Sequence, residues 1–249
     1  MPTHILTSFE AFSNAGFRAK LQAPMPTHIL TSFEESLSAL RNDALMMASL
    51  TERNLVNTRK GLFERDEDWC NTVIADDEEI DTLEVQIDRE GINVMLRFHP
   101  MASDMRNVIA TMKLSVNLER IADQAVNIAR RGRKLIARPE VGEIAQLQPI
   151  FQTAESMVRD AVRAFADHDV ALSRSFKDRD RELDELNRTF AERMTDRMSE
   201  QVENIPTYMD LIFISRFLER IGDQAKNIGE DTVYAISAEE IRHTSRVAG

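Results

Sequence analysis

The chain has 249 residues, 43% of them hydrophobic and 29% charged, enough for one large domain or two small ones with a sizeable core. Its formal net charge of -11 repels phosphate backbones and argues against nucleic acid as a partner. No apolar run approaches the ~20 residues of a membrane span, and no signal peptide is visible, since His4, Glu10 and Asn14 interrupt any apolar stretch.

The lone cysteine, Cys70, cannot close an internal disulfide, which fits a reducing compartment. There are 8 Gly and 7 Pro, against about 17 and about 12 at average usage. Few turns and long regular elements follow.

Residues 1–10, MPTHILTSFE, recur unchanged at 25–34. Ten identical residues are too many for chance, and the insert AFSNAGFRAKLQAP has no helical period. Residues 1–24 are expected to be a duplicated leader introduced in cloning, with Met25 the natural start. From Phe33 a helical stripe begins, with Leu37, Leu40, Ala44 and Met47 at steps of 4, 3, 4 and 3. Six helices are predicted, over 31–61, 66–97, 101–135, 144–167, 170–203 and 207–236. Pro100 separates the second from the third, and Pro139 and Gly142 separate the halves. Pro206 falls at the start of the sixth, where its missing N–H costs least.

The third and sixth helices repeat each other. LERIADQAVNI (118–128) aligns without gaps on LERIGDQAKNI (218–228), identical at 9 of 11 positions. DEEIDTLE (77–84) likewise resembles DRELDEL (180–186). A period near 100 residues is too long for a solenoid repeat and predicts a duplicated domain. The fold class is therefore all-α, two tandem three-helix bundles over 25–138 and 139–238, with a tail at 239–249.

Each half carries two acidic pairs four residues apart: Asp77/Asp81 and Glu119/Asp123, then Asp180/Asp184 and Glu219/Asp223. That spacing places both side chains on one helix face, where like charges repel. A shared cation would offset the repulsion, and carboxylates suit Mg, Mn, Fe or Zn without choosing among them. Spacing alone is weak, because 42 residues are acidic and such pairs arise by chance. Position adds weight. Glu119, Asp123 and Asn127 fall on the arc of Ile109, Met112 and Val116, interrupting an apolar stripe. On a largely enclosed helix, carboxylates are either paired or bind metal. The bland alternative is an interhelical salt-bridge network using Arg181, Arg188 and Arg216.

Taken with HPMASDMRNVIATMKLSVNLERIAD (99–123), these blocks give a sequence that resembles the PhoU family over essentially 28–236. The family often has Gln where His99 stands and Gly where Ala122 stands; Gly222 keeps that Gly in the second copy. The resemblance implies six helices in two similar bundles. It implies metal sites at Asp77, Asp81, Glu119 and Asp123, and at Asp180, Asp184, Glu219 and Asp223. It also implies a cytoplasmic regulator, expected as a homodimer. Such a regulator links a phosphate ABC transporter and its ATPase to a sensor histidine kinase, and restrains uptake and the starvation response.

No glycine-rich phosphate loop, H-E-x-x-H or G-x-S-x-G appears, so no enzyme is expected. No anion cradle is evident either, so phosphate itself need not bind. The competing readings are a carboxylate-bridged dimetal oxidase and a purely structural adaptor. The oxidase wants Glu-x-x-His, but Ala122 and Gly222 stand three residues after Glu119 and Glu219. The cluster Arg130, Arg131, Arg133, Lys134 and Arg138 is expected to answer a helix dipole and stay solvated, with an acidic docking partner the minority reading. Trp69 and Cys70 are expected inside, and Met46, Met47, Met194 and Met198 as core filler.

Overall fold

The computed structural model describes residues 27–242; the segment 1–24 expected to be a duplicated leader lies outside them, as do residues 25–26 and 243–249. Among the described residues there are six long helices and no strand. They are α1 (Thr27–Phe63), α2 (Glu67–Phe98), α3 (Ser103–Ile136), α4 (Gln148–Asp167), α5 (Val170–Glu200) and α6 (Ile205–Ser237).

Local chemistry sets the ends. Asp66 caps α2 by accepting from the Asp68 N–H at 2.9 Å, and Asp169 caps α5 by accepting from the Leu172 N–H at 2.9 Å. Pro149 and Pro206 stand in the first turns of α4 and α6. The fourth helix starts later than expected, because Gly142–Leu147 winds as a 3-10 segment ahead of Pro149. The fifth ends sooner, and a short 3-10 turn, Val202–Asn204, leads into α6. At the far end of the first half, the Arg65 guanidinium donates to the carbonyls of Leu135, Ile136 and Arg138 at 3.3, 2.9 and 2.7 Å. It thereby satisfies the open carbonyls at the α3 terminus with a positive charge.

Helices α1–α3 enclose Leu40, Met47, Leu55, Ile80, Ile87 and Leu114; α4–α6 enclose Phe151, Met157, Phe176, Leu183, Leu211 and Ile214. The halves meet chiefly through α3 and α6, with α1 against α4 alongside. Helices α3 and α6 run antiparallel. Lys113 Nζ pairs with Asp231 at 2.7 Å at one end, and Arg131 and Arg138 hold Asp210 at the other. Arg59 pairs with Glu155 at 3.0 Å across α1 and α4. Two repeats joined by antiparallel copies of one helix are related by an approximate two-fold, which gives two equivalent outer seams, α2/α3 and α5/α6.

The basic cluster at the end of α3 is only in part the solvated set expected: Arg130, Arg133 and Lys134 are exposed, while Arg131 and Arg138 are drawn in. Arg131 and Arg138 both bind Asp210, which is only 5% exposed, and Arg133 pairs with Glu67 at 2.8 Å. The cause is tertiary: the end of α3 abuts the start of α6. Among the methionines, Met47 and Met194 are core, but Met46 is 55% exposed. Cys70 is fully buried, and burial pushes its thiol up to about 11, which keeps it protonated and inert. Trp69 is half-buried under the Lys60 ammonium, 4.4 Å from its ring centroid.

Candidate metal centre

Asp77 and Asp81 stand one turn apart on α2, and Glu119 and Asp123 one turn apart on α3. These are the faces that form the first seam. Asp77 and Glu119 are half-buried, whereas Asp81 and Asp123 reach solvent. The seam is therefore an edge of the bundle, more open than the apolar stripe suggested.

The charges of Asp81 and Asp123 reach both half-buried carboxyls of the seam. The Asp77 carboxyl is raised above its ordinary range by burial first, then by the charges of Asp81 and Asp123, with Arg130 opposing. Glu119 is raised by burial, then by Asp123, Asp81 and Glu84, with Arg120 opposing. Glu84 of α2 thus joins the seam. Among the described residues no Lys or Arg makes an ion pair with any of the four. The donors are hard oxygens of uniform charge, with Arg120 and Arg130 acting on them only from beyond ion-pair range, a chemistry that suits divalent or iron-type ions. Their side chains do not stand closed around one point. Among the described residues no three His, Cys, Asp or Glu groups already form a metal-holding set.

The second seam has the same backbone frame and different electrostatics. Lys226 Nζ donates to Asp180 Oδ2 on α5 at 2.5 Å and to Asp223 Oδ1 on α6 at 2.9 Å. Arg216 reaches Glu219 Oε1 at 3.3 Å, while Glu219 Oε2 is buried without a protein partner. Asp180 is still raised by burial; Lys226 opposes this, and Asp223 and Asp184 add to it. Glu219 is likewise raised by burial, with Arg216 opposing. Asp184 is exposed.

Of the arginines expected to neutralise these acids, only Arg216 does so. Arg181 pairs with Asp178, and Arg188 with Glu185 and Glu192, all exposed on α5 itself. Lys226 was missed, although one signal pointed to it. It is one of the two positions at which the paired eleven-residue blocks differ, Val126 against Lys226.

These features define a class: a duplicated all-helical protein with paired carboxylate seams and no helix long and apolar enough to cross a membrane among the described residues. The family model for the PhoU domain matches twice, over residues 44–132 and 147–232, and the chain belongs to that family. A phosphate-specific transport system accessory protein PhoU homolog from Pseudomonas putida is 34% identical over 208 residues, covering 83% of this chain and 81% of its own length. One from Zymomonas mobilis is 32% identical, covering 85% and 90%. The crystal structure of PhoU from Pseudomonas aeruginosa superposes with a TM-score of 0.81 at 31% identity, covering 83% of this chain and all of the other.

Proposed function

We propose that this chain is a non-enzymatic regulator of phosphate uptake and of the phosphate-starvation response. It works in the cytoplasm by docking on partner proteins. The observation that carries the reading is likeness across both halves to proteins named as accessories of phosphate-specific transport. The partners proposed are the ATPase of a phosphate ABC transporter and a sensor histidine kinase, and the working unit is a homodimer. The long outer helices supply broad side faces for such contacts. Residues Asp77, Asp81, Glu119 and Asp123 would hold a divalent or iron-type ion, which would supply positive charge to an otherwise uncompensated seam.

The test is deletion of the gene in its host, with growth in ample phosphate. Phosphate uptake and a starvation-responsive phosphatase reporter should both rise. Affinity capture of the tagged protein should recover the transporter ATPase and the kinase. Unchanged uptake together with an unchanged reporter overturns the reading. For the metal, chelator-stripped protein should gain thermal stability with Mn(II), and Asp123→Asn should remove the gain.

A further inference from the structure

The two acidic seams repeat each other in sequence and differ at the position that matters most for a cation. Where α3 carries Val126, α6 carries Lys226. The lysine lies across its seam, joining Asp180 of α5 at 2.5 Å to Asp223 of its own helix at 2.9 Å. The ammonium is largely enclosed, with its side chain 22% exposed and that of Asp180 13% exposed. Both contacts are ion pairs, so the ammonium sits in the seam as a positive charge between two carboxylates. The first seam has no counterpart, since Val126 is apolar and buried.

We propose that Lys226 is the resident cation of the second seam, and that this chain accordingly takes up metal at the first seam alone. The inference rests on the metal reading of Asp77, Asp81, Glu119 and Asp123 given above. Its physical basis is competition. A divalent ion entering the second seam would share Asp180 and Asp223 with an ammonium already in hydrogen-bond contact, and like charges at that range repel strongly. Displacing the ammonium would strand it in a half-buried site without its partners. The duplicated fold thus holds one metal-dependent half and one half whose charge is always compensated.

The experiment uses the full chain, stripped with a chelator and dialysed against Mn(II), with bound Mn counted by elemental analysis. Wild type should carry Mn, Asp123→Asn should lose it and Asp223→Asn should keep it. Adding Lys226→Val to Asp123→Asn should restore Mn, and a further Asp223→Asn should remove it again. Loss of Mn from wild type on Asp223→Asn alone overturns the proposal and leaves the metal reading intact. Absence of Mn from both wild type and Lys226→Val overturns both.

A metal-free readout stands beside these. Stripped Lys226→Val should melt several degrees below stripped wild type, and Mn should raise its melting temperature more than it raises that of wild type. If the stripped variant melts with wild type, Lys226 is not the compensating charge and the proposal falls.

Discussion

The contact that tests the architecture most directly is Asp210. It lies near the start of α6 with 5% of its surface exposed, and it accepts from Arg131 and from Arg138 (2.7 Å), both carried by the first half. Asp210→Ala leaves two guanidiniums facing a buried gap. Breaking a buried ion pair from one side costs roughly 3–5 kcal/mol. Two features favour the lower end. The arginine side chains retain 24% and 33% exposure, and Arg131 also stacks on Phe213, 3.9 Å from the ring centroid. We therefore expect a loss of about 3 kcal/mol, and at about 2–4 °C per kcal/mol for a chain of this size a melting temperature lower by about 6–12 °C. Asp210→Asn keeps an acceptor and should lose about half as much. Arg131→Met leaves Asp210 one arginine, so the Asp210/Arg131 double-mutant cycle should show coupling of about 1–2 kcal/mol. Because the contact joins the halves, the melting transition of Asp210→Ala should also broaden. Calorimetry that finds Asp210→Ala within 2 °C of wild type, with an unchanged width, refutes the claim that this clamp holds the halves together.

Three further outcomes are expected. Asn54 is fully buried and neither amide atom has a protein partner, so Asn54→Leu should raise stability in urea unfolding by about 1–2 kcal/mol; a loss above 1 kcal/mol would show that the amide is satisfied. Glu119 and Asp77 carry raised carboxyls, so their ionisation costs the folded state, and stability is lost as pH rises from the ordinary carboxylate range through the folded values. In metal-free protein Glu119→Gln should therefore melt higher than wild type at pH 7, and the gap should close towards pH 4; a gap that widens on acidification contradicts the sign. Finally, a Cβ at Gly222 would stand 2.3 Å from Leu183 Cδ2 and 3.6 Å from the end of Met157, so Gly222→Ala should cost about 1–2 kcal/mol despite its better helix propensity, as thermal melting will show.

Much of the fold was legible because its signals are local. The stripe from Phe33 to Met47, the prolines at 100 and 206 and the paired eleven-residue blocks each act over a turn or two of helix. The helix starts at Pro149 and Pro206 follow from φ restriction and a missing N–H. What escaped was decided between helices. Nothing near Arg131 or Arg138 in sequence announces Asp210, more than seventy residues on, so a cluster at a helix end read as solvated. The candidate site was legible as residue types and spacing, and Asp81 and Asp123 each act on both Asp77 and Glu119 across the α2/α3 seam. Its depth was not, because Asp81 and Asp123 lie on the outer side of the seam, and an angular position on a helix does not say how far the neighbouring helix extends.

The repeated blocks carry one more argument, internal to this chain. Leu118, Ile121, Ala125 and Ile128 match Leu218, Ile221, Ala225 and Ile228, and all eight are at most 1% exposed. Packing two copies of one bundle explains those identities, since each position fills the same hole. Packing does not explain why Glu119 and Asp123 match Glu219 and Asp223. Glutamates 119 and 219 are penalised by burial in both halves, and a neutral side chain at either place would relieve that cost. Residues that a fold keeps twice at its own expense answer to something other than folding. The two seams meet that cost differently, one with an ammonium from its own helix in hydrogen-bond contact and one with only the more distant charges of Arg120 and Arg130. On the metal reading proposed above, the first seam is accordingly where a cation from solution has most to contribute, through Glu119 and Asp123.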